Sequence, residues 1–405
     1  MREMNPIKMG RYITFLLIFF CFLSKTYAQK PDGVQARIPF ELYGNLIFLK
    51  VMVNQGGPYD FIFDTGSTSA FIDAALADSL DLPIVGSLAS YSPTGTNTVD
   101  LTNSETIGIG DLELQLVNLA KGFPHYHEFT VGRNIDGVLN LGLFSEYVLE
   151  IDFDHSQILL YSPNGYRVPL QSVEIDYRLS YGIPEITCFL KITENLQIRA
   201  GLLLDTGDPS SLLFTSPYIK RHRLIGELEN FYSIKSSGSD PELRTELLFA
   251  KIDHVNIANH VFEDVPVKLH LGRAGVMAFT SFDGTIGNEL LKRFNLVFDD
   301  RNGKLHMRPN SHYLSAFPVN CSGLTIKFNE NKSKIVIDNI VKNSPAQNAG
   351  LRINDEILAV NFKPSFDYEL MEINQLLSIP GQRIALTVNS EGTIKEITLH
   401  LRSLL

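Results

Sequence analysis

The strongest constraint on the fold is an internal duplication. Residues 61–72 read FIFDTGSTSAFI, and residues 202–213 read LLLDTGDPSSLL. A second matched pair follows in the same order: residues 135–140 read IDGVLN and residues 282–287 read FDGTIG, and an apolar strand and a turn come after each. Two matched motifs at similar separations indicate two copies of one structural unit.

Both copies have the composition of short strands and turns. β-Branched and aromatic residues alternate with clusters of Gly, Pro, Asn and Asp, which is typical of β-structure. The sequence therefore predicts a mainly β chain with two similar lobes, residues 29–165 and 166–312, packed face to face. Helical segments are few, and residues 73–80 are the clearest.

Each copy carries an Asp-Thr-Gly turn directly after an apolar triplet, as expected where a buried strand ends sharply. Glycine at the third position lets another part of the backbone come close, and the threonine hydroxyl can hydrogen-bond to the other copy. An approximate twofold axis would bring Asp64 and Asp205 together. Two carboxyl groups about 3 Å apart cannot both ionise, so they share a proton.

Such a pair of carboxyl groups can hydrolyse a peptide bond. The ionised member is the general base for a water held between the two, and the protonated member polarises the carbonyl oxygen. This chemistry requires no metal, cofactor or covalent intermediate. The predicted catalytic residues are Asp64 and Asp205. The residues predicted to support them are Thr65, Gly66, Ser67, Thr206, Gly207 and Asp208.

These residues resemble a known group. The motifs at 64–67 and 205–207 are similar to those of aspartic proteases of the pepsin and retropepsin clan, above all bacterial retropepsin-like proteins with both lobes in one chain. The resemblance spans residues 35–310 and implies two β-barrel lobes. It also implies glycine-tipped flaps, which we place at Gly95 and Gly238; ordinary surface loops are the alternative at both positions.

Two positions depart from the family pattern. Asp208 follows the second motif, where the family has Ser, Thr or Ala. A third carboxylate there would raise the pKa values of the pair or disrupt it, unless Asp208 turns outward. Asn140 stands where the family has glycine and where the second copy has Gly287. Asparagine tolerates left-handed backbone geometry better than most residues, which favours retention of the fold.

The pattern changes after Pro309. Strands are expected from residue 323, from 334 and over 355–360, 384–388 and 394–401, with a short helical turn at 346–349 and an amphipathic helix over 368–377. The runs SPAQNAGL (344–351) and NDEI (354–357) are similar to the PDZ family, and the match spans residues 318–405.

The PDZ resemblance implies a peptide-binding groove between the first strand and the amphipathic helix. The strand residues expected to bind peptide are Gly323, Leu324, Thr325 and Ile326. A peptide would add to the strand edge, with its terminal carboxylate held by backbone amides near Gly323. Ser322 replaces the usual apolar residue of that loop. The alternative is a packing module that caps the protease.

The N terminus predicts export. Residues 1–28 combine early cations, an apolar run at 13–23 and the small residue Ala28, which together indicate a signal peptide. An uncleaved anchor is the alternative; no later stretch is apolar enough to cross a membrane. Cleavage would leave Cys188 and Cys321, for which two isolated thiols are favoured over a bridge. The expected location is periplasmic or extracellular.

Composition excludes other function classes. A chain with a net charge of −10 lacks the positive electrostatic field that nucleic-acid binding needs. Without tryptophan, the chain lacks the aromatic platforms that sugar hydrolases favour. His125 and His127 have no cysteine or carboxylate frame that would indicate a metal site. The leading hypothesis is an exported aspartic endopeptidase whose PDZ module recruits or gates protein substrates. The alternative is a catalytically inactive peptide-binding scaffold.

Overall fold

The computed structural model describes residues 33–92, 95–122, 126–236 and 245–405. The predicted signal peptide with Cys21, the flap candidate Gly238 and the side chains of His125 and His127 lie outside the described residues. Within the described part of the chain, no helix is long and apolar enough to cross a membrane.

The first half is built from strands joined by tight turns. Asp73 begins the first helix by accepting a hydrogen bond from the N–H of Leu76 at 2.7 Å, which confirms the helix expected there. The elements are β1 (Val34–Tyr43), β2 (Leu46–Val53), β3 (Gly56–Asp64), β4 (Phe71–Ile72), α1 (Ala74–Ser79), β5 (Ile84–Tyr91), β6 (Thr96–Ile109), β7 (Leu112–Lys121), α2 (Tyr126–Val131), β8 (Gly137–Asn140), β9 (Val148–Asp152) and β10 (Gln157–Tyr161).

The second half has the same character, with short helices after its fifth strand. The elements are β11 (Val173–Asp176), β12 (Arg178–Ser180), β13 (Ile183–Thr193), β14 (Leu196–Asp205), β15 (Leu212–Phe214), α3 (Ser216–His222), α4 (Leu224–Glu227), β16 (Phe231–Ser236), β17 (Thr245–Ile257), β18 (His260–His270), β19 (Gly284–Gly287), α5 (Asn288–Leu291), β20 (Phe294–Asp299) and β21 (Lys304–Pro309).

The two halves repeat one strand order. In the first half the neighbours run β2-β3-β8-β4-β7-β6-β5, and in the second they run β13-β14-β19-β15-β18-β17-β16. Each half also has one additional antiparallel pairing, β2 with β6 in the first half and β13 with β17 in the second. The repeated order is the three-dimensional counterpart of the duplicated motifs.

The two halves share a sheet and a core, which is more than the face-to-face packing expected from the sequence. β9 of the first half pairs antiparallel with β20 of the second, so one sheet continues from β11, β21 and β20 into β9, β10 and β1. A single buried hydrophobic cluster also extends across both halves, from Ala36 to Met307. Continuous hydrogen bonding and a shared core therefore fix the position of one half against the other.

The last part of the chain folds around its own core. Its elements are β22 (Leu324–Phe328), β23 (Ile335–Ile340), α6 (Pro345–Asn348), β24 (Glu356–Val360), β25 (Lys363–Pro364), α7 (Leu370–Leu376), β26 (Arg383–Ser390) and β27 (Thr393–His400). Their side chains form a separate buried cluster that includes Ile337, Ile373 and Leu386. β22 is an edge strand that pairs with β23, and a capping box of Glu369 and Glu372 begins α7. These elements confirm the strands and helix expected after Pro309.

Candidate active site

The two Asp-Thr-Gly turns meet at the junction of the halves. Asp64 ends β3 and Asp205 ends β14, each beside a parallel strand of its own half, β8 or β19. Each carboxyl group lies over the glycine of the opposite turn. A Cβ added at Gly66 would lie 2.8 Å from Oδ2 of Asp205, and one added at Gly207 would lie 2.7 Å from Oδ1 of Asp64. Only glycine leaves room for the opposite carboxyl group.

Reciprocal threonine hydrogen bonds hold the turns together. Thr65 Oγ1 donates to the carbonyl of Leu204 at 2.8 Å, and Thr206 Oγ1 donates to the carbonyl of Phe63 at 2.9 Å. The same hydroxyl oxygens accept from the opposite threonine amides, at 3.0 Å from Thr65 N and 3.1 Å from Thr206 N. Both threonines are almost completely buried. Four bonds across the interface therefore fix the turns in register.

The two carboxyl groups form one ionisable unit. They hydrogen-bond to each other, while Gly66 N–H donates to Asp64 at 2.7 Å and Gly207 N–H donates to Asp205 at 3.0 Å. Burial raises the pKa of Asp64, although the Gly66 amide opposes this. Burial, together with the neighbouring charges of Asp64 and Asp208, raises the pKa of Asp205 well above its usual range. The pair therefore retains a proton at pH values where isolated aspartates are ionised.

Asp208 is held beside the pair by its own hydrogen bonds. Ser210 donates to its carboxylate twice, from N–H at 2.9 Å and from Oγ at 2.6 Å, and Thr285 Oγ1 donates at 3.2 Å. Lys268 Nζ lies 3.9 Å away. The carboxylate thus has partners other than the dyad, yet its charge still raises the pKa of both Asp64 and Asp205.

Replacing Asp208 by the serine of the first turn is expected to shift the pH dependence of the site. Loss of its negative charge lowers both pKa values of the pair, because the ionised forms are then less repelled. Both limbs of a profile of kcat/KM against pH should move to lower pH in Asp208→Ser. Asp253→Ser removes an equal charge at an exposed position and should leave the limbs in place. Unchanged limbs in Asp208→Ser would contradict the conclusion that the charge of Asp208 raises the pKa values of Asp64 and Asp205.

Asn140 and Gly287 are the last residues of β8 and β19, in corresponding positions, but left-handed geometry is not the reason for glycine. Asn140 has φ −99° and Gly287 has φ −87°, so both are extended, and the expected need for a left-handed conformation is wrong. Gly287 is required by space, because a Cβ there would lie 2.6 Å from the carbonyl oxygen of Asp208 and closer still to that of Ser210. Asn140 keeps the same pairing geometry opposite Asp64.

The first flap candidate lies at the tip of the β5–β6 hairpin. Gly95 N–H donates to Ser92 Oγ at 3.0 Å, which closes the turn. The hairpin contacts the second half, since the amide of Val276 donates to the carbonyl of Ser92 at 3.0 Å and the rings of Tyr91 and Phe279 lie 6.2 Å apart. In the second half, β16 and β17 flank the segment that contains Gly238.

The predicted peptide-binding strand of the last domain differs from expectation at its carboxylate-binding end. Leu324 to Ile326 lie on the edge strand β22, as expected. However, the amides of Ser322 and Gly323 donate to Asn320 Oδ1 at 3.1 and 2.7 Å, and the amide of Leu324 donates to Ser322 Oγ at 3.0 Å. The amides expected to hold a peptide carboxylate are therefore occupied within the loop.

A contact that sequence reasoning missed supports the second turn. Asn45, in the β1–β2 hairpin, donates from Nδ2 to the carbonyl of Pro209 at 3.0 Å, and its own carbonyl accepts from Asn288 Nδ2 at 2.7 Å. Gly44 and Asn45 both have positive φ, which is the geometry of a tight hairpin turn. The Gly-Asn pair predicts that turn, but not its partner 164 residues away.

Comparisons with known proteins identify two domains. Residues 49–139, which include Asp64, match the model of the aspartyl protease family, and residues 317–389 match the model of the PDZ domain. No curated protein matches the chain. Among solved structures, the aspartic proteinase from Irpex lacteus is similar over 69% of this chain and 98% of that chain, with 12% identity and a TM-score of 0.43.

The family matches agree with the mainly β fold. They confirm the resemblance to aspartyl proteases over residues 49–139 and the resemblance to PDZ domains over residues 317–389. The predicted lobe boundaries and the roles of single residues stay predictions. The chain therefore contains a segment of the aspartyl protease family in its first half and a PDZ domain near its C-terminal end.

Proposed function

We propose that the protein is an exported endopeptidase that hydrolyses peptide bonds with a water held by Asp64 and Asp205. The observation that carries the proposal is the contact of the two carboxyl groups, each fitted over the glycine of the opposite turn. Shared protonation is the state that this chemistry requires, and the raised pKa values favour it.

The two carboxyl groups have different expected roles at the start of the reaction. The shared proton is assigned to Asp205, because the carboxylate of Asp208, held in the same turn by Ser210 and Thr285, disfavours a negative charge on Asp205. Asp64 then carries the negative charge, which the amides of Gly66 and Gly207 stabilise. Asp64 is therefore the base that takes a proton from water, and Asp205 is the acid that donates to the substrate carbonyl oxygen.

The reaction then balances without another reactant. The water oxygen bonds to the carbonyl carbon, and the resulting tetrahedral intermediate loses the amine as the C–N bond breaks. The proton taken from water by Asp64 passes to the leaving nitrogen, and Asp205 recovers its own proton. The dyad returns to its starting state with one shared proton.

The substrate class is inferred from an exposed aromatic cluster beside the β5–β6 hairpin. Tyr91 and Tyr181 flank Phe279, at ring distances of 6.2 and 6.4 Å, and both tyrosines remain more than half exposed. An exposed aromatic cluster beside the hairpin suits an extended peptide with apolar side chains. Among the roles expected of the PDZ domain, gating suits the contacts of α2 with β22 and α7 better than recruitment does. Export rests on residues 1–28 alone.

The purified protein should cleave an unfolded protein, such as carboxymethylated α-lactalbumin. A statine-type peptidomimetic, which resembles the tetrahedral intermediate, should inhibit cleavage by at least about a hundredfold. Chelators and serine-directed reagents should leave the rate unchanged. Absence of any hydrolysis between pH 3 and pH 8 would favour the alternative of an inactive scaffold. Inhibition by a chelator instead of the statine compound would exclude the proposed mechanism.

A further inference from the structure

The groove of the PDZ domain faces the protease domain of the same chain. Helix α2 contacts both β22 and α7, which are the two walls of the groove. Gly132, directly after α2, lies at one end of the groove, between the last residue of β22 and the first residue of α7. A Cβ there would lie 2.9 Å from Cβ of Leu370 on α7 and 3.2 Å from Cε2 of Phe328 on β22. The positive φ of 88° at Gly132 allows the chain to turn at this point.

Charged side chains attach the same segment to the PDZ domain. Lys332, in the turn between β22 and β23, forms an ion pair with Glu128 at 2.9 Å and also donates to Asn134. The other oxygen of Glu128 accepts from the amide of Ile135 at 2.9 Å. Glu128 is buried, so its charge requires a partner, and Lys332 provides one from the other domain.

A second set of contacts lies beside the groove. Tyr43 donates from its hydroxyl to Glu369 Oε2 at 3.0 Å, and burial with this carboxylate raises the pKa of Tyr43 to about 12. Arg133 stacks over the Tyr43 ring at 3.7 Å and pairs with Glu41 at 2.7 Å. The tip of the β1–β2 hairpin thus packs at the start of α7, next to the segment in the groove.

The carboxylate-binding loop is closed by a side chain of the PDZ domain itself. Asn320 Oδ1 accepts from two loop amides, as described above, and Asn320 Nδ2 donates to the carbonyl of Leu324 at 2.7 Å. A carbonyl oxygen therefore occupies the position at which a terminal carboxylate oxygen would accept. This arrangement suits a groove whose occupant is an internal segment with no free C terminus.

We propose that residues 128–134 of the protease domain are the resident ligand of the PDZ groove, held internally and without a carboxylate, so that any other peptide must displace them. The segment continues directly into β8, which pairs with the strand that carries Asp64. Displacement would therefore act on the backbone beside the dyad, which is how the groove could gate the protease. Only this last consequence rests on the proposed function.

Hydrogen exchange on the full chain tests the resident ligand. In Lys332→Met, amides of residues 128–135 should exchange roughly three- to tenfold faster, because the ion pair to Glu128 is lost. Lys334→Met is the matched control, since Lys334 pairs at 2.9 Å with Glu356 inside the PDZ domain. It should leave exchange of this segment unchanged. Equal exchange in the two variants would overturn the proposal.

A peptide-binding experiment tests displacement and carboxylate selection. The probes are random octapeptides with a free C terminus and the same library with an amidated C terminus. Any binder should raise exchange at 128–135 and bind at least tenfold more tightly to Lys332→Met, and acid and amide forms should bind equally. Binding that leaves exchange at 128–135 unchanged, or that requires the free carboxylate, would overturn the proposal. If no peptide binds, the proposal is decided by the hydrogen exchange of residues 128–135 in Lys332→Met compared with Lys334→Met.

These measurements do not depend on protease activity. An inactive protein with faster exchange in Lys332→Met would retain the resident ligand and lose the proposed function. An active protein in which the two lysine variants show equal exchange would retain the proposed function and lose the resident ligand.

Discussion

Asp64→Asn and Asp205→Asn are each expected to lower kcat for cleavage of an unfolded protein by at least about a thousandfold. Asparagine preserves the size of the side chain and can still accept from the turn amides, such as Gly207 N–H at 3.0 Å from Asp205. It cannot take a proton from water or share one with its partner. Single-turnover cleavage followed by mass spectrometry would measure the loss.

The fold should survive these substitutions, which separates catalysis from stability. A carboxyl group whose pKa is raised in the folded state binds more protons when folded, so it lowers stability as pH rises from its unfolded pKa to its folded pKa. Asn does not titrate. Asp205→Asn should therefore melt at the same temperature as the native protein or higher at pH 7. Asp253→Asn, at an exposed position, is the matched control and should remain fully active. Cleavage that persists in both dyad variants would exclude the mechanism.

Gly66→Ala and Gly207→Ala are expected to lower kcat by about a hundredfold or more. The added methyl group would come within 3.0 Å of the opposite carboxyl group, so that group must move or rotate away from its partner. The backbone itself does not forbid alanine, because neither glycine has a positive φ. The loss should therefore reflect the displaced carboxyl group, and crystal structures of the variants would show it.

The control for these variants is another glycine in open surroundings. A Cβ at Gly226 would meet no atom within 4 Å, and its φ is also not positive. Gly226→Ala should keep the activity of the native protein. Full activity in Gly207→Ala would mean that the carboxyl group of Asp64 does not lie where the structure places it.

Several parts of the fold could be predicted because they depend on local pattern. The apolar triplets before Asp64 and Asp205 predict buried strands that end in turns. The Asp73 cap predicts α1, and the spacing of apolar residues predicts α7. The domain families could also be predicted, because their motifs are short and contiguous.

Other features could not be predicted because they join distant residues. Nothing in β9 or β20 indicates that the two strands pair with each other, since each is a short apolar run that any sheet edge could accept. The closure of the PDZ loop by Asn320 was missed for a related reason. An asparagine before a turn is common, and only the folded loop decides whether its side chain bonds outward or back to the amides.

The sequence by itself determined that two copies of one β unit carry equivalent acidic turns and that a PDZ domain follows, because these properties reside in contiguous residues. Only the tertiary structure decided that the threonines bond reciprocally between the turns, that Asp208 is held by Ser210 and Thr285, and that the PDZ groove lies against residues 128–134. Each of these contacts joins atoms from separate elements. Their distances depend on how whole sheets pack, which no local pattern of residues specifies.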